Sequence, residues 1–395
     1  MLKPIYGAIL LIAGTSIGAG MLALPVSTAQ LGFFPAASLM ILSWYIMYLS
    51  ALLLLEVSLC HESGANIISM SGNCFGIVGK VFAWTVYLLL LYVLTTAYLS
   101  AISDLLQDIV VSVFHIYLLQ WVFVVTTICF FCSLLYLGTT LIDKVNRILM
   151  FGLVFSLCAL VASFIGNTSQ GDVFVYSWLG SEKALPILAT SFGFHIIIPS
   201  LRSYLDSNVK DLKRAILIGS LIPLVIYLLW QFLVFSSIPM FGKSGLLQLW
   251  NNGEVTQLID VLSASLHSSI FATVINIFSF FIISTSFLGV SLSLFDFLVD
   301  GLKLKNTQLS NFSILLLAFI PPLLLVLLNF KSFFIVLSYA GALVVLLLCT
   351  LPLGMAMVCR YRNASQPHIF VGSVGMFLVG FFSFIVLMFE YYAHF

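Results

Sequence analysis

Residues 13–25 read Ala13-Gly14-Thr15-Ser16-Ile17-Gly18-Ala19-Gly20-Met21-Leu22-Ala23-Leu24-Pro25, and this stretch decides the fold. It lies inside an apolar run from Ile5 to Val26 that is long enough to cross a bilayer. Its glycines disfavour a continuous helix, since each costs roughly 1 kcal/mol relative to alanine. In a membrane, the backbone groups freed by such a break are tolerated only where they face protein or line a cavity. We therefore predict that residues 14–20 form the unwound part of a discontinuous helix and bind a polar ligand.

The composition excludes a water-soluble fold. Of the 395 residues, 62% are hydrophobic and 7% are charged, whereas soluble domains carry about 25% charged residues. A net charge of +1 offers no basic surface for nucleic acid. The seven cysteines show no disulfide pattern. Cys129 and Cys132 have redox or metal spacing, but they lie within an apolar helix, which favours packing. We expect no cofactor and no obligatory protein partner, with the lipid bilayer as the surroundings.

Eleven apolar segments predict an all-α integral membrane protein with a single membrane domain. The predicted spans are 5–27, 34–58, 78–102, 118–137, 146–166, 184–203, 214–237, 269–295, 312–329, 333–356 and 369–392. Twelve of the 15 Lys and Arg residues fall on one side of this topology. The positive-inside rule then predicts a cytoplasmic N-terminus and a periplasmic C-terminus.

The sixth span contains a second interrupted segment. It reads Thr190-Ser191-Phe192-Gly193-Phe194-His195-Ile196-Ile197-Ile198-Pro199-Ser200. Small or polar residues precede a proline here, as they do in the first span. The two interrupted spans are five apart, so the second copy is inverted in the membrane, and such repeats indicate a transporter with its site at the midplane. We predict one five-helix repeat over 1–166, an inverted second repeat over 184–356, and an extra eleventh helix at 369–392.

The two breaks together suit a ligand with a carboxylate and an amine on one carbon. The half-helix that starts near Gly20 presents N–H groups and the positive dipole end to a carboxylate. The half-helix that ends near Thr15 and Ser16 presents carbonyls to an ammonium group, and the second break adds carbonyls near Ser191 and Phe192. An α-amino acid carries both groups, so it fits the N–H groups at one helix end and the carbonyls at the other. The alternative is that the glycines only permit close helix packing.

The candidate substrate-binding residues lie at the two breaks and in the third span. They are Thr15, Ser16, Gly18, Ala19, Gly20, Met21, Ser191, Phe192, Gly193, Phe194, His195 and Tyr92. Aromatic rings near a site favour an aromatic ligand. The chain has 36 phenylalanines, however, so rings near any point are expected and carry little information alone.

Four residues are candidates for ion coupling: His195, Glu56, Thr285 and Ser286. His195 either takes the coupled proton or donates to the substrate, and the alternative is a neutral side chain that caps backbone groups. Glu56 either carries a proton or points into an interface. The hydroxyls of Thr285 and Ser286 either bond back to their own helix or help to hold a sodium ion.

Three motifs resemble those of the bacterial hydroxy/aromatic amino acid permease family, with the nearest likeness to its tyrosine-specific permeases. They are the first-span stretch, residues 191–195 with Pro199, and residues 285–297. The resemblance implies proton-driven uptake of an aromatic amino acid across the bacterial inner membrane, with tyrosine favoured and tryptophan or phenylalanine possible. It also implies a fold similar to the amino acid–polyamine–organocation superfamily. Residues 196–198 depart from the family pattern, which has a glycine after the histidine; three isoleucines are expected to resist unwinding.

Three rival functions follow from the same residues. A sodium-coupled symporter would use the hydroxyls of the eighth span. A membrane enzyme needs converging catalytic groups at membrane depth, and the one adjacent pair, His61 with Glu62, lies in a loop. A channel should show rings of charge or a carbonyl filter, and no such repeated sequence is present. We therefore expect a transporter with alternating access, not an enzyme or a channel.

Overall fold

The computed structural model describes residues 4–164, 176–239, 245–252, 255–266, 269–302, 308–328, 333–362 and 370–394. Within these ranges the secondary structure is helical and contains no strand, which confirms the all-α prediction. Among the described residues, nine helices are long and apolar enough to cross a membrane. A bent pair at the N-terminus and the shorter apolar helix Phe312–Leu327 complete the predicted pattern.

The helices follow the predicted order of spans. The first five spans comprise α1 (Pro4–Ser16), α2 (Gly20–Ser27), α3 (Phe33–Leu59), α4 (Ile67–Phe114), α5 (Gln120–Leu137) and α6 (Thr139–Phe164). The sixth and seventh comprise α7 (Ser181–Ser191), α8 (Ile198–Tyr204) and α9 (Val209–Ser237). After α10 (Leu246–Asn252) and α11 (Val255–Leu266) come α12 (Ser269–Leu302), α13 (Gln308–Leu327), α14 (Phe333–Val345), α15 (Leu351–Arg362) and α16 (Ser373–His394).

The third span differs most from its predicted bounds of 78–102. Helix α4 has 48 residues, about 72 Å at 1.5 Å per residue, and so extends well beyond an apolar core about 30 Å thick. At Gly76 the backbone has φ 68° and ψ −153°, which interrupts the helical geometry near its start. Hydropathy alone located the apolar middle of this helix but not its polar ends.

Helices α10 and α11 lie in the connection between the seventh and eighth spans. Helix α11 packs against α4 and α12. Its Asp260 lies beside Asp108 of α4. Burial first, and the Asp108 carboxylate second, raise the pKa of the Asp260 carboxyl.

The two broken spans lie among longer helices. Helix α9 packs along both α1 and α3, α12 packs on α4 and α6, and α14 packs on α7 and α4. Gly219 lets α9 approach α1 closely, because a Cβ atom there would lie 2.7 Å from Cβ of Ile12. Close approach through small residues is how membrane helices gain contact in the absence of a hydrophobic driving force.

Candidate functional site between two helix breaks

The first span breaks at residues 17–19, a shorter stretch than the predicted 14–20, because α1 continues to Ser16 and α2 begins at Gly20. Helices α1 and α2 meet there at an angle of 53°. The N–H groups of Met21 and Leu22 donate to the carbonyls of Gly18 and Ala19 at 2.9 and 3.1 Å, so the chain re-enters the helix through a tighter turn. The continuous series of backbone hydrogen bonds from residue i to residue i−4 is therefore interrupted at the glycines.

The glycines of this break allow two other elements to approach the backbone. A Cβ atom on Gly18 would lie 2.9 Å from Oγ of Ser286, and one on Gly20 would lie 3.2 Å from Oγ of Ser191. Ser286 Oγ also accepts a hydrogen bond from the Ala19 N–H at 2.9 Å. The first break therefore contacts α12 on one side and the second break on the other.

The second break separates α7 from α8. Phe192 and Gly193 leave the helix, residues Phe194–Ile197 form a 3₁₀ turn, and α8 begins at Ile198. From the sequence, the three isoleucines at 196–198 are expected to resist unwinding. Two of them, Ile196 and Ile197, instead lie in the 3₁₀ turn. Pro199 explains this in part, because it lacks an N–H to continue an incoming helix but suits the first turn of a new one.

Tyr227 of α9 joins the two breaks, and the sequence analysis missed it. Its side chain is fully buried. The hydroxyl donates to the carbonyl of Ser16 at 2.5 Å and lies 3.2 Å from the carbonyl of Ser191. Its ring packs on Phe192, with the ring centroids 5.5 Å apart. The carbonyls that end α1 and α7 therefore converge on one point, as the predicted ammonium site requires.

Tyr227 belongs to a polar stripe on α9 that follows the broken first span. Trp230 Nε1 donates to the carbonyl of Met21 at 3.0 Å, and Gln231 donates to the hydroxyl of Thr28. Residues 227, 230 and 231 have the i, i+3, i+4 spacing of one helix face. This spacing of polar side chains in an apolar span was the signal that would have found them.

His195 is fully buried in the 3₁₀ turn of the second break. Its ring lies 5.0 Å from the ring of Phe194 and beside the backbone of Met47 in α3. Among the described residues neither ring nitrogen makes a well-formed hydrogen bond. A buried polar group without a partner costs about 1–3 kcal/mol, and such groups in folded proteins call for a functional explanation.

The hydroxyls of the eighth span bond back to their own helix. Thr285 and Ser286 donate to the carbonyl of Ile282 at 3.0 and 2.8 Å. Of these two candidates, Ser286 also reaches the first break through its contact with Ala19. The first break and the eighth span are therefore neighbours, as the sodium alternative also requires.

Glu56 is an ion-pair partner at one end of α3. It is buried, and Arg360 of α15 binds both of its carboxylate oxygens, at 2.5 and 2.9 Å. The Phe370 N–H adds a longer contact of 3.3 Å. Glu56 follows Met47 by nine residues, about 13.5 Å along the helix, which separates it from His195. Protonating Glu56 would leave the Arg360 charge without its partner, so the geometry favours a structural role.

Tyr92 faces the ninth span. Its hydroxyl donates to the carbonyl of Leu317 in α13 at 2.9 Å. The remaining candidates, Thr15, Gly193 and Phe194, lie at the breaks as predicted, and Thr15 is exposed on α1.

The bundle packs unequally around the two broken spans. Helix α7 lies tightly along α14, where Gly341 meets the backbone of Pro186. In the predicted inverted repeat, α1 corresponds to α7 and α6 corresponds to α14. The contact between α1 and α6 is far smaller than that between α7 and α14. On α1, Leu10 and Leu11 are 67% and 51% exposed. The half-helix α1 is therefore less enclosed than α7.

One groove in the described residues is separate from the breaks. It has a volume of about 780 Å³ and lies between α5 and α13, with Cys132, Phe312 and Phe319 among its lining residues. Its apolar lining and its position on two outer helices suit lipid chains.

Comparison with known proteins gives the family. Residues 1–390 match the tryptophan/tyrosine permease family. The chain is 35% identical to tyrosine-specific transport system 1 of Haemophilus influenzae over 92% of this chain and 90% of the relative. It is 31% identical to tyrosine-specific transport system 2 of the same organism, again over 92% and 90%. The tryptophan-specific transport protein of that organism is 30% identical over 95% of this chain and 92% of the relative. The chain therefore belongs to the tryptophan/tyrosine permease family and is a multi-pass membrane transporter of amino acids, not an enzyme.

Proposed function

We propose that this permease imports tyrosine together with a proton and binds the amino acid between the two helix breaks. One observation carries the proposal: the carbonyls of Ser16 and Ser191 converge on the Tyr227 hydroxyl. A phenol has one proton and serves one carbonyl at a time, whereas an ammonium group has three and can bind both at once. The substrate ammonium is thus the better donor for this pair of acceptors.

The carboxylate of the substrate binds at the start of α2. The N-terminus of a helix carries a partial positive charge, which favours an anion. The N–H groups of Ala19, Met21 and Leu22 already have acceptors, so the positive end of α2 is what attracts the carboxylate. The ring of Phe192 then offers an aromatic surface to the substrate side chain. The relatives named as tyrosine-specific support tyrosine as the preferred member of the aromatic class.

Substrate analogues test this binding mode directly. Purified protein would be assayed for radiolabelled tyrosine binding with N-acetyltyrosine, tyrosine methyl ester, phenylalanine and leucine as competitors. We expect phenylalanine to compete, and both blocked analogues and leucine to fail. Competition by N-acetyltyrosine equal to that by tyrosine would exclude the ammonium site.

His195 carries the coupled proton. It is the buried imidazole of the second break, and neither of its ring nitrogens makes a well-formed hydrogen bond among the described residues. A charged imidazolium there needs a counter-charge, and the substrate carboxylate supplies one, so proton and substrate favour each other's binding. The His195→Ala variant should lose proton-driven accumulation but keep tyrosine counterflow, which needs no proton gradient. Normal accumulation by this variant would remove His195 from coupling.

Sodium coupling is the second candidate. The contact between Ser286 and Ala19 favours it, since it brings a hydroxyl oxygen to the break. Against it, Ser286 already accepts the Ala19 N–H and donates to Ile282. Sodium-driven accumulation that Ser286→Ala abolishes would support this alternative.

Access to the site alternates across the bacterial inner membrane, with the N-terminus in the cytoplasm and the C-terminus in the periplasm. The bias of Lys and Arg supports this orientation. The tight α7–α14 contact and the looser α1–α6 contact support a state open toward the cytoplasm. The two broken spans, five apart, support inverted repeats at 1–166 and 184–356.

A further inference from the structure

Three metal-binding side chains converge at the end of the bundle opposite to α11. His61 follows α3, Cys74 lies near the start of α4, and Cys359 lies near the end of α15. One ligand atom from each lies within 4.8 Å of the other two. Because the three residues come from three different elements, the tertiary fold and not a local motif assembles them.

The spacing of the two thiols matches that of ligands to one tetrahedral ion. Sγ of Cys74 and Sγ of Cys359 are 3.9 Å apart. Two sulfur atoms at about 2.3 Å from a tetrahedral zinc ion are about 3.8 Å apart. A disulfide would need about 2.05 Å, and no disulfide links the described cysteines.

The orientation of His61 also suits a ligand. Its Nδ1 lies 2.8 Å from the carbonyl of Val57. A carbonyl only accepts, so Nδ1 is the donor in this contact, and Nε2 is the ring nitrogen left to bind a metal. Metal-bound histidines are held in this way, with the second ring N–H donated to a carbonyl or carboxylate.

A further thiol and a compensating charge lie near these three side chains. The Cys60 thiol interacts with Cys359. Arg362 donates to the carbonyls of Asn73 and Cys74 at 2.8 and 3.2 Å. A nearby cation favours the thiolate form that binds metals. Cys74 and Cys359 are buried, whereas Cys60 and His61 are partly exposed and leave the site accessible to an ion.

We propose that His61, Cys74 and Cys359, with Cys60 as fourth ligand, bind a thiophilic divalent cation, with Zn²⁺ the best fit. Cys₃His is a known structural zinc set. The ion would link the ends of α3, α4 and α15. It would also stiffen the loop that holds α8, because Arg202 of α8 donates to the carbonyls of Ser58 and His61. This site is independent of the proposed substrate and coupling ion.

Metal binding to the full-length protein in nanodiscs tests the proposal. After reduction with a non-thiol reductant and removal of metals by a chelator, Zn²⁺ would be titrated and the retained metal measured by mass spectrometry. We expect one Zn²⁺ per chain. Co²⁺ in its place should give the intense visible absorption of tetrahedral thiolate coordination.

Matched variants locate the ion. Cys74→Ser and Cys359→Ser should lose stoichiometric binding, and Cys129→Ser with Cys132→Ser, two thiols of α5 outside the cluster, should retain it. His61→Ala changes a partly exposed loop residue, so it keeps the test valid if a buried substitution fails to fold; it should weaken Zn²⁺ affinity at least tenfold. Absence of Zn²⁺ retention by the wild-type protein, or full affinity in His61→Ala and Cys74→Ser, would overturn the proposal.

Discussion

Replacement of Tyr227 by phenylalanine is the sharpest single perturbation of the two-break site. The change removes one hydroxyl and keeps the ring, including its packing on Phe192. The carbonyls of Ser16 and Ser191 lose the donor that they share. The ends of α1 and α7 are then held together by packing alone.

The expected cost follows from that lost donor. A buried carbonyl left without its hydrogen bond costs about 1–3 kcal/mol. Since the hydroxyl serves one carbonyl at a time, the lower part of this range applies, and about 1.4 kcal/mol corresponds to a factor of ten in an equilibrium constant. This cost falls on the empty site, because the substrate ammonium replaces the phenol as donor to the same carbonyls. We therefore expect the KM for tyrosine uptake to fall about tenfold in Tyr227→Phe.

The assay is initial-rate uptake of radiolabelled tyrosine in proteoliposomes, normalised to reconstituted protein. Tyr92→Phe is the matched control, because it removes the same atom from a hydroxyl that binds the carbonyl of Leu317 in an outer helix. It should keep the wild-type KM. A wild-type KM in correctly folded Tyr227→Phe would refute the role assigned to the shared carbonyls.

Three further perturbations have defined outcomes. Gly18→Ala places a Cβ atom 2.9 Å from Ser286 Oγ. The resulting overpacking costs about 1–3 kcal/mol and should abolish most uptake. In the control variant Gly289→Ala, the added Cβ meets no atom within 4 Å, so uptake should be retained. Glu56→Gln removes the carboxylate that pairs with the partly buried Arg360 and should lower the free energy of unfolding by up to about 3 kcal/mol, measured by thermal unfolding. The raised pKa of the Asp260 carboxyl means that the fold is stabilised by its protonated form and loses this stabilisation as pH rises. Asparagine stays neutral at every pH. Asp260→Asn should therefore raise the thermal midpoint at neutral pH but not at acidic pH.

For each of these three predictions, one result would contradict the reasoning. Equal uptake by the Gly18 and Gly289 variants would mean that close approach at the break is unimportant. If Glu56→Gln kept its thermal stability but lost proton-driven accumulation, Glu56 would be a proton carrier and not a structural partner. An equal effect of Asp260→Asn at both pH values would exclude a titration of that carboxyl.

The positions of the two breaks could be predicted because their cause is local. Glycines and hydroxyls in the first span, and Gly193 with Pro199 in the sixth, disfavour a continuous helix wherever they occur. Span length and charge bias also depend on sequence alone. These features were therefore readable before any contact was known.

The partners across the breaks could not be predicted in the same way. Tyr227 lies 36 positions from Ser191 and 211 from Ser16. Arg360 lies 304 positions from Glu56, and Leu317 lies 225 positions from Tyr92. In spans that are apolar on every side, hydrophobic periodicity does not show which face meets which neighbour. Polar residues in the spans identify candidate site residues from the sequence alone. Only the packing shows which of them lie at the breaks and which form ion pairs or contacts with outer helices.

Tyrosine accumulation under separate ion gradients distinguishes proton-coupled from sodium-coupled uptake by this permease. Purified protein in liposomes would receive radiolabelled tyrosine with an inward proton gradient or an inward sodium gradient, with phenylalanine, tryptophan and leucine as competitors. The account predicts concentrative uptake under the proton gradient alone, reduced by the two aromatic amino acids and not by leucine. Accumulation under sodium alone, or no movement of any aromatic amino acid, would contradict it.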